Sequence, residues 1–216
     1  EMATDQLDVL SRLPNWIAWY VFYGTDGKPK RRQRKQITAN LMGASVAIAW
    51  YFYALVYVLF DVSLWPACLL AIIGATSIGM LPFIVNRFER AGAIGAGLLV
   101  IILLCALCLL LGPSTGLYFY MLSVPSAVLS ILGPKWKPHL VLASMACILG
   151  MLFCIFLLQQ PLLSKAAHTT FQTVMMITSV AGTTCLVLTP LFVAFVRAET
   201  AEDAIEAEHA RSEALL

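Results

Sequence analysis

Long charge-free stretches, separated by short polar joints, set the pattern of this chain. No Asp, Glu, Lys or Arg occurs in 36–60, 62–86, 91–134, 138–164 or 166–196. A helix needs about 20 apolar residues to cross a hydrocarbon core, so each run is long enough to span. The run 91–134 would reach about 66 Å as one helix, roughly twice that thickness. It must fold back, and "GPSTG" (112–116) is its natural break. The pattern predicts six spans, near 37–60, 64–86, 91–111, 117–133, 140–159 and 170–196. Pro125 and Pro190 are expected to kink the fourth and sixth.

Both ends depart from this pattern. "LPNWIAWYVFYG" (13–24) is aromatic and too short to span. Trp16, Trp19, Tyr20 and Tyr23 share one helical face, and such rings favour the headgroup level. An interfacial helix followed by a turn at "GTDGKP" is expected, with a basic cluster after it. At the other end, 197–216 is polar and contains neither Gly nor Pro. The expected fold class is therefore all-α: a six-helix membrane bundle (37–196), an N-terminal interfacial segment with a basic linker (1–36) and a C-terminal cytoplasmic signalling helix (197–216).

Composition supports a membrane protein. Hydrophobic residues make up 60% and charged residues 12%, against about 25% charged in soluble proteins. Of the 14 Lys and Arg residues, only Lys165 falls in the first, third or fifth joint, at 61–63, 112–116 or 159–170. Lys and Arg prefer cytoplasmic loops. That bias predicts both termini inside, in a multi-pass protein of the inner (plasma) membrane. Lys28, Lys30, Arg31, Arg32, Arg34 and Lys35 would contact anionic headgroups, at about 1 kcal/mol each. Beside a membrane span, such a cluster does not point to nucleic acid.

The candidate chemistry is sparse. All six cysteines lie inside spans and read as small apolar side chains. Mid-span ionisable residues, which pumps and transporters need, are absent, so a small transporter or channel stands only as an alternative. Spans four to six carry Ser123, Ser126, Ser130, Thr178, Ser179, Gly182, Thr183 and Thr184. Such small and hydroxylated faces suit helix packing, within a bundle or between two copies. The other reading is a shallow outer pocket lined by Tyr57, Asp61, Tyr118, Tyr120, His168 and Gln172. It would suit a small lipophilic or peptide ligand from outside. His168 is the better metal candidate, but no second His or Cys stands at ligand spacing.

In the tail, Ala198, Ala201, Ile205, Glu208, Ser212 and Leu215 follow coiled-coil a/d spacing. A second phase through Ile205, His209, Ser212 and Leu216 fits almost as well, and two near-equal registers suit a switch. A solvated, Glu-rich terminal helix is the alternative.

The run "AEHARSEALL" (207–216) closely resembles the helix that precedes the catalytic domain of class III adenylyl cyclases. The six-span layout resembles the membrane domain of the bacterial, mycobacterial-type enzymes. The resemblance implies a homodimeric anchor or receptor-like domain that signals through the helix after span six. It also implies conversion of ATP to cAMP and pyrophosphate, with Mg or Mn, in a catalytic domain that these residues do not include. No catalytic, cofactor-binding or metal-binding residue is expected within 1–216. "RSEALL" is also similar to the K-S-E-F-L run of histidine kinases, so the sensor domain of a six-span, quorum-sensing-type kinase is the alternative.

Overall fold

The computed structural model describes residues 14–132, 137–158, 160–163, 166 and 168–188. The described residues contain no strand. The chain starts with α1 (Asn15–Phe22) and α2 (Lys30–Phe60). A 3-10 turn (Val62–Leu64) then leads into α3 (Trp65–Gly79) and α4 (Leu81–Arg87). After these come α5 (Glu89–Leu111) and a 3-10 turn (Pro113–Thr115). A longer 3-10 stretch (Leu117–Leu122) runs into α6 (Ser123–Leu132). Last are α7 (Lys137–Leu157) and α8 (Thr169–Leu188).

Five segments are long and apolar enough to cross a membrane: Lys35–Phe60, Val62–Arg87, Ala91–Leu111, Pro138–Leu157 and Thr169–Leu188. Their outward faces carry large apolar side chains such as Ile48, Leu59, Ile102, Leu149 and Ile177, the surface expected against lipid. The fourth expected span is different. It opens as 3-10 helix and becomes α-helical only at Ser123, so it is shorter than the others. Proline explains the change: Pro125 has no N–H to offer the Met121 carbonyl four residues back. Hydroxyls fill in locally. Ser123 Oγ donates to the Tyr120 carbonyl at 2.7 Å, and Ser126 Oγ donates to the Ser123 carbonyl at 2.8 Å. The break at 112–116 is where the sequence put it, with Gly112 at φ +84° and Gly116 at φ +71°.

The hairpin of α2 on α3 is built from small residues. Ala39, Ala47 and Ala54 on one helix and Ala67, Ala71 and Ala75 on the other are all buried. Small side chains let two helix backbones approach closely, which drives association in lipid. α5 packs on this hairpin, and α7 packs on α5, α6 and the longer 3-10 stretch.

The basic cluster is not a separate linker. α2 begins at Lys30, directly after Pro29, and runs unbroken into the first span. Lys, Arg and Gln are good helix formers, and proline's fixed φ suits a helix start. The second span is interrupted instead, at Met80. Pro82 cannot donate to the Ile78 carbonyl, and the Phe83 N–H turns to the Met80 carbonyl at 3.1 Å. The Gly79 carbonyl therefore lacks its usual helical donor. Tyr20 Oη, from α1, donates to it at 2.9 Å. Burial pushes the Tyr20 hydroxyl up to about 12, so it remains a donor at neutral pH.

A buried amide fixes α1 in place. Asn40 is fully buried. Its Nδ2 donates to the carbonyls of Tyr20 (3.1 Å), Val21 (2.8 Å) and Tyr23 (3.1 Å), closing the C-terminal end of α1. Gln36 Nε2 donates to Asn40 Oδ1 at 3.0 Å and to the Pro82 carbonyl at 3.3 Å. One polar network thus ties α1, α2 and the α3–α4 joint together. The aromatic face of α1 turns partly onto protein: Tyr23 lies 4.4 Å from the Phe83 ring and Trp19 lies 6.2 Å from it, while Trp19 remains 59% exposed.

Asn40→Ala should leave these buried carbonyls without a donor, at a cost of about 1–3 kcal/mol. Amide hydrogen exchange over 15–22 should rise selectively. Unchanged protection there would mean that Asn40 does not hold α1.

Candidate functional site

The expected pocket residues lie near the Phe60 end of α2, but they do not form one pocket. Tyr57 is fully buried, and its hydroxyl has no hydrogen-bond partner among the described residues. Its ring lies 6.2 Å from Tyr53 and 6.3 Å from Phe171. Tyr120 is reached from the longer 3-10 stretch. Its hydroxyl is 2.7 Å from that of Tyr53 and 3.4 Å from the Thr178 carbonyl. Tyr118 packs instead against Phe119, the rings tilted and 4.6 Å apart. Asp61 Oδ1 accepts from the Ser63 N–H at 2.8 Å, so this carboxylate closes a turn. His168 is exposed and sits 6.2 Å from the Phe60 ring. Gln172 is one turn on, its N–H donating to the His168 carbonyl. Among the described residues, no group of three His, Cys, Asp or Glu could hold a metal ion.

What the structure does enclose is a cavity of about 30 Å³ among Trp50, Tyr53, Tyr57, Tyr120, Ser123 and Leu186. A water needs about 10–15 Å³ on this measure. The space therefore takes one or two waters and no larger ligand. Tyr57 and Tyr120 belong to its wall; Asp61, Tyr118, His168 and Gln172 do not.

The site is thus a junction. α2 contributes Tyr53, the irregular fourth segment contributes Tyr120, and α8 contributes a groove. That groove depends on Gly182: a Cβ there would run into the Tyr120 hydroxyl. A second tie lies one turn earlier on α8, where buried Ser179 Oγ donates to the Thr115 carbonyl at 3.2 Å. The fourth segment and its preceding turn are therefore fastened to the last described helix at two points. Thr183, next to Gly182, is buried with its hydroxyl unpartnered, like Tyr57. Buried hydroxyls without partners are costly, and two of them, Tyr57 and Thr183, lie around this junction.

A family profile decides what kind of bundle this is. The MASE7 profile matches residues 25–209, most of the chain. The chain belongs to the MASE7 family of membrane-associated sensor domains. No curated protein and no solved structure matches it. The MASE7 match covers all the helices from α2 to α8 and extends past Leu188 into the polar tail. It leaves out α1.

The seam residues Ala198, Ala201, Ile205, Glu208, Ser212 and Leu215 lie outside the described residues. Of the six basic residues expected at headgroups, Lys28, Arg32 and Lys35 line a second cavity. The side chains of Lys30, Arg31 and Arg34 lie outside the described part. That second cavity also takes in Gln36, Asn86 and Arg87, which the sequence reading did not single out. The one sequence signal for it was the pair Gln36 and Asn40, amides one helical turn apart at the edge of an apolar run.

The Tyr120–Gly182 contact gives a double-mutant test in this MASE7 domain. Gly182→Ala should destabilise the fold by about 1–3 kcal/mol, the usual cost of overpacking. Adding Tyr120→Phe removes the worst of the clash and should recover part of that loss. Additive losses in a denaturation series would show that the two residues do not touch.

Proposed function

We propose that this MASE7 domain is the regulatory membrane domain of an adenylyl cyclase. It would set the arrangement of two catalytic domains through the helix that follows α8. The carrying observation is the junction on α8: the irregular fourth segment bears on this helix at Gly182, and its preceding turn is tied to Ser179. A change in that segment would reach the tail by moving one helix. The resemblance of 207–216 to the pre-catalytic cyclase helix supports the choice of output. Its similarity to the corresponding kinase run keeps a histidine-kinase output as the second reading.

In this reading the fourth segment crosses the bilayer, making six spans with both termini in the cytoplasm of a bacterial cell. Its length permits this. A 3-10 stretch rises about 2.0 Å per residue and an α-helix about 1.5 Å, so 117–132 reaches about 27 Å. The hydrocarbon core is about 30 Å thick. The weakly satisfied tyrosine junction is the two-state element, and a ligand from outside would act only through its preference for one packing. ATP and Mg or Mn belong to the catalytic domain. Within 197–216, Ala198, Ala201, Ile205, Glu208, Ser212 and Leu215 form the homodimer seam.

Full-length protein in membranes should convert ATP to cAMP and pyrophosphate with Mg or Mn. Histidine phosphorylation without cAMP would transfer the reading to the kinase class. Single cysteines placed through 197–216, in a background lacking the native six, should crosslink with helical periodicity. They should also react with reagents on the same membrane side as cysteines at 87–90, before the fourth segment. Uniform or absent crosslinking removes the dimeric lever, and labelling from opposite sides removes the sixth crossing.

A further inference from the structure

The second cavity is lined mainly by cationic side chains. A partly open space of about 210 Å³ is lined by Lys28 from the loop, Arg32, Lys35 and Gln36 from α2, and Val85, Asn86 and Arg87 from α4. That is far more than the roughly 10–15 Å³ that one water needs. Four of these residues are cationic, and among the described residues no carboxylate lines the space. Asp26, the acidic residue nearest Lys28 in sequence, is exposed and is not part of the wall.

Lys28 is held in place by neutral partners. Lys28 Nζ donates to Asn86 Oδ1 at 2.6 Å and to Gln36 Oε1 at 3.4 Å. Gln36 is itself buried and fixed by Asn40 and the Pro82 carbonyl. Neutral amides therefore position the ammonium ion without cancelling its charge. Arg87 is the last residue of α4, where the helix dipole favours a cation, and its guanidinium lies 5.7 Å from the Phe88 ring. α2 starts two residues after Lys28 with no acidic residue in its first turn and no side-chain cap, which adds a positive helix end to the same neighbourhood.

Position and chemistry together select the ligand class. The first candidate span begins at Lys35 and the second ends at Arg87, so the cavity sits where both leave the hydrocarbon. That is the depth of lipid phosphates. Two arginines offer forked donors that match phosphate oxygens, and lysines add compact charge. We propose that this cavity binds one phosphate group, with Arg32 and Arg87 as its clamp and Lys28 and Lys35 as flanking charges. It is a discrete site, unlike the diffuse attraction of a basic surface, and it does not depend on which output domain follows.

The test uses full-length protein in nanodiscs of phosphatidylcholine, with and without one-fifth phosphatidylglycerol or cardiolipin, read by native mass spectrometry. Wild-type protein should retain one anionic lipid per protomer, and Arg32→Gln/Arg87→Gln should reduce that retention at least tenfold. Lys165→Gln, which removes the same kind of charge elsewhere, should leave it unchanged. Asn86→Asp provides an independent check if the double variant fails to fold. It keeps the shape and pairs Lys28 more strongly, yet it should also abolish retention, because it puts a carboxylate in the wall. In phosphatidylcholine alone, titration with inorganic phosphate and pyrophosphate separates the sources. Saturable binding of these, lost in the same variants, with no retained lipid, would assign the site to a soluble phosphate. Equal lipid retention in wild type and both variants, with no phosphate binding, would overturn the proposal.

Discussion

A contact between two phenol hydroxyls, 2.7 Å apart, joins Tyr53 of α2 to Tyr120 of the irregular fourth segment. Much of the rest of the structure follows from it. Buried backbone must satisfy its polar groups within the protein, and the tighter 3-10 stretch does so only with help. Serines close its carbonyls locally, while Tyr120 reaches across to Tyr53 and to the Thr178 carbonyl of α8. Gly182 leaves the space that this reach requires. The same segment that departs from regular helix is thus the one bound to the last described helix of a MASE7 sensor domain.

The opposite end of α2 is organised by polar groups of another kind. Pro82 breaks the second span, and the carbonyls around that break are met by Tyr20 and Gln36. Asn40 extends the network to the end of α1. Lys28 joins it through Gln36 and Asn86, so a loop charge is tied to a buried amide chain. α2 is a single helix from Lys30 to Phe60 and carries both centres, the amide network near its start and the tyrosines near its end.

Helix content and the places of five long apolar helices were legible in the sequence, because charge-free runs and the GPSTG turn leave little choice. The shape of the fourth segment was not, because hydropathy does not distinguish 3-10 from α-helix. Pro125 was read as a kink when its larger effect lies upstream, on the turns before it. The continuity of α2 through its basic residues was missed for a similar reason: a charge cluster looks like a linker, yet Lys, Arg and Gln are good helix formers. In the candidate site, Tyr57 and Tyr120 were identified by residue type and do share a cavity wall. Asp61 and His168 were chosen for their chemistry, but local geometry employs Asp61 in a turn and lays His168 against Phe60. Tyr53 and Gly182 emerge only from three-dimensional contact. Arg87 joins Lys28 only because the α2–α3–α4 hairpin brings positions far apart in sequence side by side.

The most direct measurement of the account is output activity per inserted molecule in full-length protein carrying Tyr120→Phe. Losing one hydroxyl should cost about 1 kcal/mol, too little to unfold the bundle. If this junction sets the state of α8, the same energy should change output about fivefold, as a coupling of that size requires. Activity identical to wild type, at equal insertion and under every condition that alters the wild-type output, would contradict the claim that the fourth segment passes its state to the last helix.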